Sequence, residues 1–274
     1  MDGIADYEFV RALGGGTYGQ VFLARTPERL RGDAQITDEL VAVKVMAGEA
    51  TPETFATAVR ELGAVTLVGS PYLVRLFDGG MQDGVVYYAT EYLPDGSLAD
   101  PQTPIDDADL LAAVVDAASG LAALHGAGIV HRDIKPGNVL LRPGGGKLAD
   151  VGLAHLLLPG VTVTGLGSAR SIEYIDPAVL AGDAHEPAHD VWSIGVTMHR
   201  ALTGDGIFGD ELDSDDPLAA VRRAVSAPPR VSASLSADVA ALVAACVGPV
   251  GDRPSAAELA ERLGSLAATQ ASEV

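Results

Sequence analysis

Arg132, Asp133, Lys135 and Asn138 fall within seven residues of one another, in the stretch His131-Arg132-Asp133-Ile134-Lys135-Pro136-Gly137-Asn138. The lead-in Gly128-Ile129-Val130 and the exit Val139-Leu140-Leu141 are apolar and read as short buried β-segments. Between them, Pro136-Gly137 continues neither a helix nor a central strand. The polar residues therefore sit on a tight loop between two anchored ends, the way a rigid scaffold presents a site. Asp133 and Lys135 alternate along extended chain, so they can face one side. A carboxylate, an ammonium and a carboxamide oxygen at this spacing suit a hydroxyl, a phosphate and a metal ion.

Such a loop needs elements to place it. Leu110, Leu111, Val114, Ala117, Ala118, Leu121 and Leu124 recur at helical spacing, which predicts a helix over Asp106 to Leu124 that delivers the chain to the loop. Beyond the loop, Gly144-Gly145-Gly146 reads as a turn, and a second strand then leads to Asp150-Val151-Gly152, 17 residues after Asp133. Upstream, an alternating run from Tyr7 reaches three consecutive glycines, Gly14 to Gly16. Glycines in a β pattern cost about 1 kcal/mol each relative to alanine, which a hairpin whose backbone must lie close to something would justify. Val41-Ala42-Val43-Lys44-Val45 is a short apolar strand with one lysine. Its bland placement is at a sheet edge, pointing outward, since burial without a partner is costly. Thr51-Pro52-Glu53 marks a helix start, with N-cap, proline at N1 and an acid in the first turn. Phe55, Ala58, Val59, Leu62 and Val65 line one face of that helix, with Glu61 at its flank. Val85 to Leu93 reads as a strand stopped by Pro94-Asp95-Gly96-Ser97.

The chain has 274 residues, 18 basic and 37 acidic, for a net charge of −19. So negative a chain argues against nonspecific binding to nucleic acid or anionic membrane. One cysteine, Cys246, cannot form an internal disulfide, and a reducing cytoplasm is the simplest home. The acidic start Met-Asp-Gly-Ile-Ala-Asp is unlike a signal peptide. Residues 151–169 lack charge but are broken by proline and glycine, so no membrane segment is expected there. His185 and His189 lack further ligands at metal-binding spacing and read as surface histidines. The acidic run from Asp205 to Asp216 reads as a solvated loop, with a platform for basic substrate residues as its rival.

Taken together, these motifs resemble the protein kinase family. His131 to Asn138 matches the catalytic-loop pattern H-R-D-x-x-x-x-N, and Lys135 two residues after Asp133 resembles the serine/threonine class of bacterial type. Gly14, Gly16, Gly19 and Val21 fit G-x-G-x-x-G-x-V, Lys44 fits V-A-x-K, and Asp150-Val151-Gly152 fits Asp-Phe-Gly with valine for phenylalanine. Arg170 to Ala178 aligns with G-T-P-E-Y-x-A-P-E. Ser171 replaces the threonine, and Ala178 stands where the last glutamate is usual. His189 to Val196 resembles the helix whose Asp190 braces the catalytic loop.

The resemblance implies an α+β, two-lobed kinase-like fold over residues 7–264. A small β-rich lobe with one main helix (7–93) precedes a larger, mostly helical lobe (94–264) and a frayed tail (265–274). It implies a serine/threonine protein kinase using ATP with Mg²⁺, or Mn²⁺ in its place, on protein substrates that the sequence does not identify. Leu13, Gly14, Gly15, Gly16, Thr17, Tyr18, Gly19 and Val21 would cover ATP, with Ala42, Thr90, Glu91, Leu93 and Leu140 around its adenine. Lys44, paired with Glu61, would contact the phosphates. Asn138 and Asp150 would hold the metal, Asp133 would orient the acceptor hydroxyl, and Lys135 would stabilise the transferred group. Ser171 would help position the substrate. Thr162 and Thr164 are candidate phosphosites, with Arg132 expected as a buried cation awaiting their phosphate. A pairing partner for Arg253 is missing at Ala178, which predicts a weaker tether of the segment from Ser171 to Leu180 unless Asp176 takes over. A pseudokinase scaffold and a small-molecule phosphotransferase are the alternative functions.

Overall fold

The computed structural model describes residues 2–16, 19–31, 36, 39–151, 169–212 and 216–272. Thr17, Tyr18, Thr162 and Thr164 lie outside these residues. The described residues form two compact units. The first takes those up to Leu67 and Val74–Tyr92; the second takes Val68–Leu73 and the described chain from Leu93 on.

The first unit is built on a six-stranded antiparallel sheet. Its strands are β1 (Gly3–Ile4), β2 (Tyr7–Gly16), β3 (Gly19–Arg25), β4 (Leu40–Met46), β5 (Leu76–Gln82) and β6 (Val85–Glu91), in the order β1-β2-β3-β4-β6-β5. In β4 the β-branched Val41, Val43 and Val45 are buried on one face with Tyr7, Ala24, Tyr87 and Ala89, while Ala42 and Lys44 point to the other face. This period-two alternation is what a half-covered strand requires. Since β4 lies inside the sheet, the edge placement of Lys44 does not hold. Helix α1 (Pro52–Val68) covers part of that second face. Thr51 caps it by accepting the Thr54 N–H, and Phe55, Ala58 and Leu62 seat it against Met46, Val86 and Tyr88. The expected apolar face was too wide: Val59 is exposed, and Ala58 is the helix's only fully buried residue among those described. Just after β3, Arg29 forks onto Asp6 (2.8 and 3.1 Å) and also reaches Asp78.

The second unit is organised by helix α2 (Asp107–Gly126), which Asp106 caps by accepting the Asp109 N–H at 2.9 Å. Leu111, Val114, Ala117, Ala118, Leu121 and Leu124 are at most 2% exposed, so this helix, long and apolar enough by composition to cross a membrane, spends its apolar row on a core. A four-stranded sheet joins β7 (Gly96–Ser97), β8 (Asp100–Pro101), β9 (Val139–Arg142) and β10 (Gly145–Leu148). Among the described residues, the remaining α-helices are α3 (Pro177–Leu180), α4 (Pro187–Thr203), α5 (Pro217–Ser226), α6 (Ala237–Cys246) and α7 (Ala256–Ser272). α2 packs against α4, α7 and the β9–β10 hairpin.

Three expectations change here. The lead-in Ile129-Val130 is not a strand; the Ile129 N–H bonds back to the Leu124 carbonyl at 2.9 Å, which finishes α2 instead. Gly145 and Gly146 belong to β10, and the turn is left to Pro143-Gly144. They are glycines because the hairpin lies directly on α2. Asp116 accepts both the Gly146 N–H (3.1 Å) and Arg142 Nη2 (2.7 Å), and a β-carbon on Gly145 would collide with that carboxylate. Residues 265–272, expected to fray, continue α7.

Candidate active site

The second unit holds the loop from one buried point, the α4 carboxylate of Asp190. Asp190 is fully buried, and its two oxygens accept the backbone N–H groups of His131 (2.7 Å) and Arg132 (2.8 Å). His125 at the end of α2 donates its Nε2–H to the same carboxylate at 2.9 Å. Burial works to raise the pKa of Asp190, but the hydrogen bond from His125, the nearby His185 and His131 imidazoles and the Arg132 amide hold it well below the usual carboxylate range. The anion thus persists where an isolated one would not. Its two amide bonds hold Arg132 at φ +70°, a conformation that an L-residue rarely adopts. The Arg132 side chain is exposed, so the expected buried cation is not found.

His131 is fully buried and neutral, its basicity lowered chiefly by burial. Its Nδ1 accepts the Asp133 N–H (3.3 Å), which leaves Nε2 to donate to the Ala149 carbonyl (3.0 Å). The imidazole therefore joins the start of the loop to the residue before Asp150. Asp150 itself has φ +60°.

Within the loop, Lys135 Nζ donates to both oxygens of Asp133 at 2.8 Å, and Asn138 Nδ2 donates to the Asp133 carbonyl (2.7 Å) and to its Oδ2 (2.9 Å). These bonds fix one carboxylate against one ammonium. They also decide how Asn138 is turned: with its NH₂ committed to Asp133, its carboxamide oxygen is the group left to offer a ligand. An amide oxygen and the Asp150 carboxylate are a hard oxygen donor set, which fits Mg²⁺ or Mn²⁺ and suits a softer metal poorly. Leu140 is half-exposed between the buried Val139 and Leu141, an apolar side chain facing outward. Ser171 is half-buried in the turn Ala169–Tyr174.

The first unit carries the other predicted residues on one face of its sheet. Opposed residues of antiparallel strands share a face. The register places Gly14 beside Val21, Val21 beside Lys44, and Lys44 beside Tyr88. Leu23, Ala42 and Thr90 form the neighbouring row of that face. Gly19, at φ +144°, has no room for a β-carbon against the Val45 carbonyl, whereas nothing lies within 4 Å of one built on Gly14. Glycine at 19 is therefore demanded by the fold, and glycine at 14 is not. Leu13 is half-buried and Gly15 exposed. The Glu91 N–H is committed to the Arg75 carbonyl at 3.0 Å.

One expected pair is not formed. Glu61 is exposed on α1, and among the described residues no ion pair joins it to Lys44. The Lys44 ammonium lies 5.9 Å from the centroid of the Tyr88 ring. Seating α1 through Phe55, Ala58 and Leu62 turns Glu61 to the outer flank of the helix.

Behind Ser171, α4 fastens the chain through Trp192 Nε1 to the Glu173 carbonyl (3.0 Å) and Ser193 Oγ to the Tyr174 carbonyl (2.6 Å). Glu173 is buried and takes Arg200 on one oxygen (3.1 and 2.8 Å) and the Ile207 N–H on the other (3.2 Å). Arg253, only 3% exposed in its side chain, pairs with Asp176 and donates to the carbonyls of Gly248 and Ala188 at 2.9 Å. Asp176, two residues before Ala178 and named as the residue that could take over, holds Arg253 while also capping α3 through the Ala178 N–H, so the weaker tether expected from Ala178 is not found. His185 and His189, expected at the surface, are not there either. The His189 side chain is 3% exposed and that of His185 17%, and they stand beside Asp176 and Asp190. Sequence reasoning missed His125 and these two as part of the site. A polar residue closing the otherwise apolar row of α2, and two histidines shortly before Asp190, were the available signals.

Residues 7–262 match the protein kinase domain. The chain is 31% identical to a protein named probable serine/threonine-protein kinase PkwA of Thermomonospora curvata, over 95% of this chain and 34% of that protein. It is 32% identical to serine/threonine-protein kinase PknK of Mycobacterium tuberculosis, over 94% of this chain and 23% of that protein. With serine/threonine-protein kinase PkaA of Streptomyces coelicolor the identity is 30%, over 94% of this chain and 49% of that one. The chain therefore spans only a quarter to a half of the length of these relatives. On the match over residues 7–262, the chain belongs to the protein kinase family.

Proposed function

We propose that this chain is an ATP-dependent serine/threonine protein kinase, transferring the γ-phosphoryl group of ATP to hydroxyls of protein substrates. The observation that carries the reading is the fixed triangle of Asp133, Lys135 and Asn138 on a loop pinned by Asp190. Asp133 orients the acceptor hydroxyl and takes its proton as the new O–P bond forms and the bond to the leaving ADP breaks. Lys135, 2.8 Å from that carboxylate, stabilises charge on the group in transit. Asn138, through its carboxamide oxygen, and Asp150 would hold Mg²⁺ or Mn²⁺, which supplies charge neutralisation on the phosphate oxygens. Lys44 binds phosphate oxygens, and the open face over Gly14 leaves the backbone of the glycine hairpin accessible to them.

The exposure of Glu61 on α1 favours one second reading: a chain that binds nucleotide without transferring phosphate efficiently. Incubation with γ-labelled ATP and Mg²⁺, alone and with a generic basic protein, followed by phosphosite mapping, separates the two. The kinase reading expects label on serine or threonine of protein. Nucleotide binding with no labelled protein would favour the scaffold.

A further inference from the structure

Asp190 has one neighbour that the loop geometry does not account for. A carboxylate offers about four lone-pair sites. The amides of His131 and Arg132 and the imidazole of His125 take three of them. His185 Nε2 lies 3.4 Å from Asp190 Oδ1, close enough to act on a buried charge, but it is buried without a hydrogen-bond partner. The His185 ring meets the His189 ring edge-on, with centroids 5.5 Å apart and planes at 82°. His189 is itself fixed: its Nδ1 accepts the Glu186 N–H at 2.8 Å, so Nε2 carries the proton. That Nε2 is buried without a hydrogen-bond partner, 3.9 Å from the Asp176 oxygen that holds Arg253.

We infer that His185 is a positioning residue: with His189 it ties Asp190, which holds the catalytic loop, to Asp176, which anchors the segment behind Ser171. Arg253 pairs with Asp176, His189 Nε2 lies 3.9 Å from that carboxylate, the two imidazoles meet edge-on, and His185 Nε2 lies 3.4 Å from Asp190, whose oxygens hold the amides of His131 and Arg132. The strained Arg132 backbone makes the loop the place where slack would appear. It is held at φ +70° by two amide bonds to Asp190, so any freedom given to that carboxylate lets the loop relax. Removing the imidazole opens the Oδ1 side to water, which competes with the Arg132 N–H for the same oxygen. The rate readout of this inference rests on the kinase reading; its exchange readout rests on geometry alone.

The test uses the full chain with His185→Leu and His185→Gln, since the glutamine amide nitrogen can stand near the imidazole Nε2. Amide hydrogen exchange at His131 and Arg132, and kcat and KM for transfer to a generic protein, are measured in parallel. His185→Leu should speed exchange at both amides and lower kcat, each by about tenfold, with the KM for ATP within about twofold of wild type. His185→Gln should recover most of both losses. If the leucine variant does not fold, His185→Asn, too short to reach Asp190, replaces it. Wild-type exchange in the variant lacking the imidazole overturns the inference, as does glutamine behaving like leucine. If no chain transfers phosphate, the kinase reading fails and the exchange result alone decides the inference.

Discussion

Arg253 is neutralised by Asp176 and not by residue 178, so the substitution of alanine at 178 has been absorbed within the same segment. Breaking a buried pair by removing one partner costs about 3–5 kcal/mol. Asp176→Ala should lose stability of that order, lowering the thermal midpoint by roughly 10 °C for a chain of this size. Ala178→Glu should bring no gain, because Asp176 already neutralises the buried guanidinium. Thermal unfolding of both variants checks this, and a higher midpoint for Ala178→Glu would contradict it.

Glu61 is exposed and unpaired with Lys44, so its role has to lie in the active state. Exposed substitutions away from packed features stay within about 0.5 kcal/mol. Glu61→Gln should therefore leave the midpoint in place while reducing kcat about tenfold or more, the loss of one charged contact to Lys44 at turnover. Steady-state kinetics beside a melting curve give the answer. An unchanged kcat would remove Glu61 from the mechanism.

The glycines of the hairpin separate into two kinds. Gly19→Ala meets the Val45 carbonyl at a positive φ and should destabilise the first unit. Gly14→Ala meets nothing, so it should fold as wild type. If the backbone there approaches ATP, Gly14→Ala should raise the KM for ATP several-fold. Wild-type KM in a stable Gly14→Ala protein would place the nucleotide elsewhere.

Acid should destabilise the second unit through His199. Its Nε2 accepts the Ser232 N–H at 3.0 Å, so its Nδ1–H donates to the Asp205 carbonyl at 3.1 Å, and a second proton has no place. Burial first of all holds its basicity below the ordinary value of 6.5, and His131 is lowered for the same reason. The unfolded chain then takes up the proton first. Stability is full above about pH 6.5 and is lost as pH falls below it. His199→Ala should have a lower midpoint at pH 8 but a shallower fall between pH 7 and pH 5. Parallel pH curves for the two proteins would count against this account.

The sequence was most legible where one chemical requirement fixes a residue. Asp133, Lys135 and Asn138 lie together on one loop that Asp190 holds, and the apolar run Val41 to Val45 is a strand. It was least legible where meaning depends on partners distant in the chain. Gly145 and Gly146 looked like turn residues, and only the approach of Asp116 on α2 shows why a strand needs them. His185 and His189 looked like surface residues although Asp190 follows them closely in the chain, because only the fold turns them inward against Asp190 and Asp176. Glu61 was placed by alignment, whereas the seat of α1 is set by Phe55, Ala58 and Leu62.

The central claim is that Asp133 is the base of a phosphoryl transfer to protein hydroxyls. The direct measurement is the rate of label transfer from γ-labelled ATP to a protein acceptor by wild type and Asp133→Asn, with circular dichroism on both. A positioned general base contributes about 10²–10⁴-fold, so the asparagine variant should fall by at least about 100-fold while keeping its fold. A folded Asp133→Asn protein that transfers label within tenfold of wild type would contradict the account.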